Sequence, residues 1–165
     1  MTRIDFHFNV TDKVHHVCRL VRKALHTSTD GQTRMLILAD TPDLDRIDAA
    51  LWQTAPSDFL AHCRSDAPAA VRARSPVILA PRADADLPPC DILVHLGCSG
   101  ASVPAGFERF MRLFELVGRD QTDRAPARAR WRHYSRRGYA ISQVDLAAPQ
   151  AGPSGQAGAP AGEST

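Results

Sequence analysis

Apolar and polar residues alternate near the start of the chain, and this pattern predicts a β-strand with one face in the core. Within residues 3–9, Ile4, Phe6 and Phe8 alternate with charged or histidine side chains. A period of two residues is typical of a half-buried strand. Three later segments are continuously apolar instead. Such runs predict strands of a parallel sheet that is covered on both faces. They lie at residues 34–39, 77–80 and 92–96.

Segments with helical features separate these strands. An N-capping aspartate begins a predicted helix over residues 12–26, and a threonine–proline pair begins a second helix at residue 41. Residues 107–117 are amphipathic, and residues 123–137 predict a basic helix that a glycine ends. Residues 139–146 then predict a last strand.

This alternation of strands and helices predicts one three-layer α/β domain over residues 1–146, with a mostly parallel sheet. Residues 55–74 show no clear period. Residues 147–165 consist almost only of Ala, Pro, Gly, Ser and Gln. A segment of this composition buries too little apolar surface to offset its ordering entropy, so we expect a disordered tail.

Charge is distributed unevenly along the chain. Residues 109–137 contain nine arginines and three acids, a net charge of +6, which leaves −4 for the rest of a chain whose total is +2. A basic end on an acidic body favours an anionic partner, either nucleic acid or an acidic peptide. A solvated helix face without a partner accounts for the charge equally well.

The motifs that bind nucleotides are missing from the sequence. The turn after the first strand reads NVTD rather than G-x-G-x-x-G, and the chain contains no G-x-x-x-x-G-K-[ST]. Without those glycines, backbone amides cannot approach a pyrophosphate closely. The loop at residues 97–100 (GCSG) follows a strand, and we interpret it as a plain loop rather than an anion nest.

Catalytic and metal-binding patterns are missing as well. The chain has no G-x-S-x-G and no C-x-x-C, and its seven histidines are scattered. His95 lies in an apolar segment and is interpreted as a core histidine with satisfied hydrogen bonds. Cys90 and Cys98 flank the same segment and are interpreted as small buried apolar residues. We therefore predict no catalytic residues, no metal and no cofactor.

Two surfaces remain as candidates for function. Trp52 and Phe59 lie close together around a proline turn, an arrangement that suits either the core or a docking patch for a protein. Arg124, Arg128 and Arg132 stay within an arc of ~80° on a helix. Guanidinium groups spaced one turn apart can hold carboxylates in bidentate fashion.

Several motifs, taken in order, resemble one family. They are DFHFN at residues 5–9, LDRIDAALW at 44–52, SDFLAH at 57–62, DILV at 91–94, and RARWRHY at 128–134 followed by Gly138 and Tyr139. Over about residues 3–146 the chain resembles the chi subunit family of bacterial DNA polymerase III. The family commonly has lysines in parts of the basic stripe where this chain has arginines. Its basic residue at the extreme C-terminus has no clear match here.

The resemblance implies a Rossmann-like fold without its nucleotide, and a subunit without catalytic activity. It implies an accessory role in DNA replication that links the clamp loader, through the psi subunit, to the acidic C-terminal tail of single-stranded DNA-binding protein. Psi does not accompany chi in every bacterium, and a helicase competes for the same surface.

The resemblance also assigns residues to these partners, with contact to DNA mainly indirect. The psi or helicase surface would include Trp52 and Phe59. The site for the acidic tail would comprise Val117, Arg124, Arg128 and Arg132. The alternative function is direct nucleic-acid binding by the Arg-rich helix. No apolar run approaches the ~18 residues of a membrane span, and the N-terminus lacks a signal peptide, so a cytoplasmic location is expected.

Overall fold

A seven-stranded parallel sheet forms the centre of the computed structural model, which describes residues 1–53 and 59–147. Its spatial order is β3-β4-β2-β5-β6-β1-β7, and every pairing is parallel. The strands are β1 (Arg3–Val10), β2 (Met35–Leu38), β3 (Cys63–Arg64), β4 (Val77–Ala80), β5 (Ile92–His95), β6 (Arg112–Gly118) and β7 (Ile141–Asp145).

Helices connect the strands and cover both faces of the sheet. They are α1 (Lys13–Thr27), α2 (Thr41–Gln53), α3 (Ala69–Arg74) and α4 (Gln121–Arg136), with a 3₁₀ turn at Phe107–Arg109. One apolar cluster lies between the sheet and α1 with α2. A second cluster lies between the sheet and α4. The predicted three-layer α/β fold with a mostly parallel sheet is therefore confirmed. Among the described residues, no helix combines the length and apolar character that crossing a bilayer requires.

Local sequence signals account for most helix boundaries. The Asp12 side chain accepts a hydrogen bond from the His15 backbone N–H at 3.0 Å, which confirms the predicted cap of α1. Gly138 follows α4 with a φ of 77°, a left-handed conformation that glycine adopts without strain. Helix α4 begins at Gln121, two residues before the predicted start.

The amphipathic segment at residues 107–117 does not form a helix. It forms the 3₁₀ turn and then strand β6, which lies between β5 and β1 in the interior of the sheet. Leu113 and Val117 pack on the α4 face and Phe114 on the opposite face. A strand that is buried on both faces is apolar at nearly every position, so helical spacing arises in it by coincidence.

The segment that showed no clear period contains the short elements β3 and α3. Residues 54–58, within the proposed docking patch, and residues 148–165, within the proposed tail, lie outside the described residues.

Candidate protein-binding surfaces

Helix α4 places its arginines on two different faces. Its buried side chains are Ala127, Arg130 and Tyr134, while Arg128 is exposed. In the predicted stripe, Arg132 is also exposed and Arg124 is partly buried. The structure therefore places this stripe on the outer side of α4.

Hydrogen bonds hold two of the three stripe residues in place. The Arg124 guanidinium donates to the Asn9 side-chain carbonyl, and the Asn9 amide donates to Asp145 Oδ1 at 2.7 Å. Arg132 Nε donates to the backbone carbonyl of Arg128 at 3.3 Å. No such side-chain contact is found for Arg128 within residues 1–53 and 59–147, so its guanidinium is available to a ligand.

Two adjoining cavities lie between the outer side of α4 and strands β1 and β7. One, of about 500 Å³, is bordered by Phe8 and Trp131, whose ring centroids are 6.1 Å apart. The other, of about 380 Å³, is bordered by Arg124 and Asp145. Phe8, Arg128 and Gln143 line both cavities. We call this surface the α4 groove. It combines free positive charge with an apolar wall.

Val117 does not reach the α4 groove. Its side chain is fully buried in β6, within the cluster that includes Phe6, Ala127 and Tyr134. The expected contact between Val117 and a bound peptide stays a prediction, and in this structure the residues of α4 that pack on β6 cover the Val117 side chain. Phe8 and Trp131 supply the apolar wall instead. The alternation in β1 marked Phe8 as facing the same side as Phe6, but it could not show that α4 leaves Phe8 partly uncovered.

Beneath α4 lies a buried charged network that the sequence pattern did not indicate. Arg130 is 1% exposed and Glu115 is fully buried. Arg130 Nη2 lies 3.0 Å from Glu115 Oε2, and Arg130 Nη1 donates to the Gly100 backbone carbonyl. Tyr134 donates its hydroxyl to Glu115 Oε1 at 2.8 Å. His95 Nδ1 lies 2.9 Å from Glu115 Oε2, so the network joins α4 to both β5 and β6.

The network keeps Glu115 ionised. Burial alone raises the pKa of this carboxyl, but the neighbouring His95, Arg130 and Tyr134 together lower the pKa below its ordinary value. Burial, reinforced by the Glu115 carboxylate, raises the pKa of the Tyr134 hydroxyl. Both effects favour a carboxylate that accepts hydrogen bonds from a neutral phenol and a charged guanidinium.

A chain of contacts runs from the Ser99 hydroxyl through the His95 imidazole to the Glu115 carboxylate. Ser99 Oγ lies 3.0 Å from His95 Nε2. The same hydroxyl donates to the Ser102 carbonyl at 2.6 Å, and the Glu115 carboxylate is shared with Arg130 and Tyr134. The contacts therefore attach the loop after β5 to the core. His95 is the core histidine that its apolar segment predicted.

Trp52 and Phe59 form an exposed aromatic pair. Their side chains are 60% and 72% exposed, and their ring centroids are 5.5 Å apart. The Trp52 ring also contacts His62, whose Nε2 lies 2.8 Å from Asp48 Oδ1. The pair therefore lies outside the core, which excludes the core interpretation for both residues. Because α2 and α4 cover opposite faces of the sheet, the aromatic pair and the α4 groove are separate surfaces.

Two of the four cysteines have thiols of low reactivity. Burial raises the pKa of the Cys90 and Cys98 thiols to about 11, so both stay protonated at neutral pH. Cys90 is buried as expected, and Cys98 is partly exposed. Within the described ranges, no three His, Cys, Asp or Glu side chains come together as metal ligands.

The chain is similar to a known protein family and to a solved structure. The family described as DNA polymerase III chi subunit, HolC, matches residues 1–142. No curated protein matches the chain. A solved structure, that of the C-terminal domain of the DEAD-box protein Dbp5, is similar with a TM-score of 0.59 at 13% identity, covering 90% of this chain and 92% of that chain. At such low identity, this likeness shows the α/β fold alone.

Proposed function

Because this chain belongs to the DNA polymerase III chi subunit family, we propose that it is a non-catalytic accessory subunit that links the clamp loader to single-stranded DNA-binding protein. The α4 groove would bind the acidic C-terminal tail of that protein. The aromatic pair would bind psi, or a helicase in its place. A cytoplasmic location follows from this role.

One observation carries the proposal for the tail: exposed guanidinium groups lie beside an apolar wall. A C-terminal peptide of this kind brings an α-carboxylate, aspartate side chains and an apolar last residue. Arg128 occupies the middle of the stripe, so a carboxylate bound to it is also attracted by Arg124 and Arg132. The apolar residue would pack between Phe8 and Trp131, where burial of its side chain stabilises the complex.

Direct nucleic-acid binding by α4 is the second candidate function, since phosphates also bind guanidinium groups. A titration with an acidic C-terminal peptide and, separately, with a single-stranded oligonucleotide distinguishes the two functions. We expect Arg128→Ala to weaken peptide binding roughly tenfold or more, since a charge-assisted hydrogen bond contributes ~1.5–3 kcal/mol. Arg82→Ala is the matched control, because this arginine is 81% exposed and lies far from α4 in the chain.

The peptide titration has clear outcomes. Peptide affinity that is unchanged in folded Arg128→Ala would exclude the α4 groove as the site. A loss of oligonucleotide binding without a loss of peptide binding would favour the second function. Added salt should weaken the peptide complex, because partly exposed ion pairs are screened.

The aromatic pair supports the proposed second interface. Trp52→Ala and Phe59→Ala should each lower the affinity for psi or the helicase by ~2 kcal/mol, the usual cost of truncating an interface anchor. The melting temperature should change little, because both side chains are mostly exposed. Unfolding of either isolated variant would show that the pair stabilises the domain rather than a complex.

A further inference from the structure

A second basic surface lies along α1, on the sheet face opposite α4. Helix α1 contains Lys13, Arg19, Arg22 and Lys23 but no aspartate or glutamate. The net charge of −4 outside residues 109–137 conceals this concentration, because most acids of that part of the chain lie elsewhere. Lys13 pairs with Asp123 at 2.5 Å. The other basic residues of the helix begin at Arg19 and lie toward its C-terminal half.

Most of these residues border a groove on this face, a cavity of about 800 Å³ between α1, the loop after it and strands β6 and β7. We call it the α1 groove. Arg19 and Lys23 form one side, and Arg112 and Val144 form the other. None of the described residues that line it is acidic. An anion that enters it therefore meets several positive side chains and no lining carboxylate.

The positive charge of the α1 groove is only partly neutralised by the protein. Arg112 Nε lies 2.5 Å from Asp5 Oδ2. In contrast, Arg19 and Lys23 are exposed and have no ion-pair partner within residues 1–53 and 59–147. These two side chains are therefore available to an external anion.

A buried histidine pair lies on the floor of the α1 groove. His7 Nδ1 lies 2.7 Å from His16 Nε2. Burial, followed by the positive charges of His7 and Arg19, lowers the pKa of His16 to about 4. Burial also lowers the pKa of His7, against the attraction of Asp5 and with the repulsion of Arg112 and Lys23. Burial is the largest cause of both shifts, and the positive side chains of the α1 groove add to it.

We propose that the α1 groove binds the phosphate backbone of single-stranded DNA. Arg19, Lys23 and His26 follow one side of α1 at spacings of four and three residues, a span of about 10 Å. Neighbouring phosphates of one strand fit within that distance. Hydroxyl groups of Thr27, Ser28 and Thr33 also line the groove, and such groups commonly contact phosphates.

This proposal goes beyond tethering through a protein tail. Because the α1 groove and the α4 groove lie on opposite faces of the sheet, both can be occupied at once. The subunit would then hold the protein that coats a strand and also contact exposed nucleotides of that strand. A nucleic acid suits the α1 groove better than an acidic peptide, because hydroxyl groups line it beside the positive charges, whereas none of the described residues that line the α4 groove has a hydroxyl group.

Fluorescence anisotropy with a labelled oligothymidylate at low salt tests the proposal. The Arg19→Glu/Lys23→Glu double variant should lose at least tenfold in oligonucleotide affinity. Its slope of log affinity against log salt should fall by about 1.4, since each phosphate contact in a single strand contributes about 0.7. Affinity for the acidic peptide should be unchanged. The matched control is Arg46→Glu/Arg82→Glu, which reverses two exposed charges outside the groove.

Each other outcome overturns the proposal. The wild-type protein could fail to bind the oligonucleotide at low salt, or could bind a duplex of the same length more tightly than the single strand. An equal loss of oligonucleotide affinity in the control variant would show that the effect depends only on the total charge of the protein. A loss in Arg128→Ala rather than in the double variant would place the nucleic acid on α4. None of these results affects peptide binding, so the proposed function is tested separately.

Discussion

The two faces of α4 carry arginines in opposite environments, one buried and one exposed. Arg128 is exposed and borders the α4 groove, whereas Arg130, two positions later, is 1% exposed and paired with fully buried Glu115. Two residues along a helix correspond to a rotation of ~200°, so the two side chains point to opposite sides. The comparison shows that an arginine-rich segment is not a uniform basic surface. Part of its charge belongs to the core.

The two faces should also differ energetically. Removal of Arg130 leaves the buried Glu115 carboxylate without its counterion, so we expect the loss to lower the stability of the fold. Arg128 is solvated in the free protein, so its loss affects binding. The buried network also holds the helix whose outer face carries the stripe, which makes the groove dependent on the core beneath it.

Arg130→Met should have the largest effect on the free energy of unfolding. Removing one member of a buried ion pair typically costs ~3–5 kcal/mol, because the other charge stays buried without its counterion. Chemical denaturation with an unchanged m-value measures this loss. A loss as small as that of a surface substitution would mean that the pair is solvated and that the two faces do not differ.

The double variant Arg130→Met/Glu115→Gln sharpens this prediction. It leaves neither charge without a counterion, so it should be more stable than the sum of the two single variants implies. Additive losses would show that Arg130 and Glu115 act independently.

Tyr134→Phe should have an intermediate effect on stability. The substitution keeps the ring contacts with Phe6 and Phe107 but removes the hydroxyl that donates to Glu115 Oε1 at 2.8 Å. Loss of a hydrogen bond to a buried charged group costs ~1.5–3 kcal/mol. Thermal or chemical denaturation gives the value, with unchanged near-ultraviolet circular dichroism as a check on the fold. A neutral result would assign the stabilising role of Tyr134 to its ring alone.

Arg128→Lys should change binding but not stability. A lysine keeps the positive charge but loses the planar, bidentate geometry, so it should recover only part of the peptide affinity that Arg128→Ala loses. Calorimetric titration of the three proteins at one salt concentration ranks them. Full recovery in Arg128→Lys would show that the groove needs charge rather than a guanidinium.

Removal of residues 147–165 should have the smallest effect. The segment is rich in Ala, Pro and Gly and has no apolar periodicity, so its deletion should leave the melting temperature nearly unchanged. It should also leave peptide affinity unchanged, although β7 lines the α4 groove just before this segment. A fall of many degrees would show that these residues pack on the domain.

Features that depend on neighbouring residues could be predicted from the amino-acid sequence. A period of two residues predicted β1, continuous apolar runs predicted β2, β4 and β5, and helical spacing predicted α1 and α2. Asp12 and Gly138 marked helix ends, and the spacing of Arg124, Arg128 and Arg132 defined the stripe. The pattern failed at β6, because the apolar positions of this buried strand and the turn before it also fit helical spacing. It also could not decide whether Trp52 and Phe59 were core or surface.

Tertiary contacts determine which polar residues are buried and which apolar residues remain accessible. Arg130 meets Glu115 because α4 packs on β6, and Glu115 meets His95 because β5 pairs with β6 in the sheet. Phe8 and Trp131 form a wall because α4 leaves both partly uncovered, whereas other residues of α4 cover Val117. Periodicity reports the direction of a side chain within its own element. Burial and charge pairing depend on which other elements meet that side chain, and that information lies in long-range contacts.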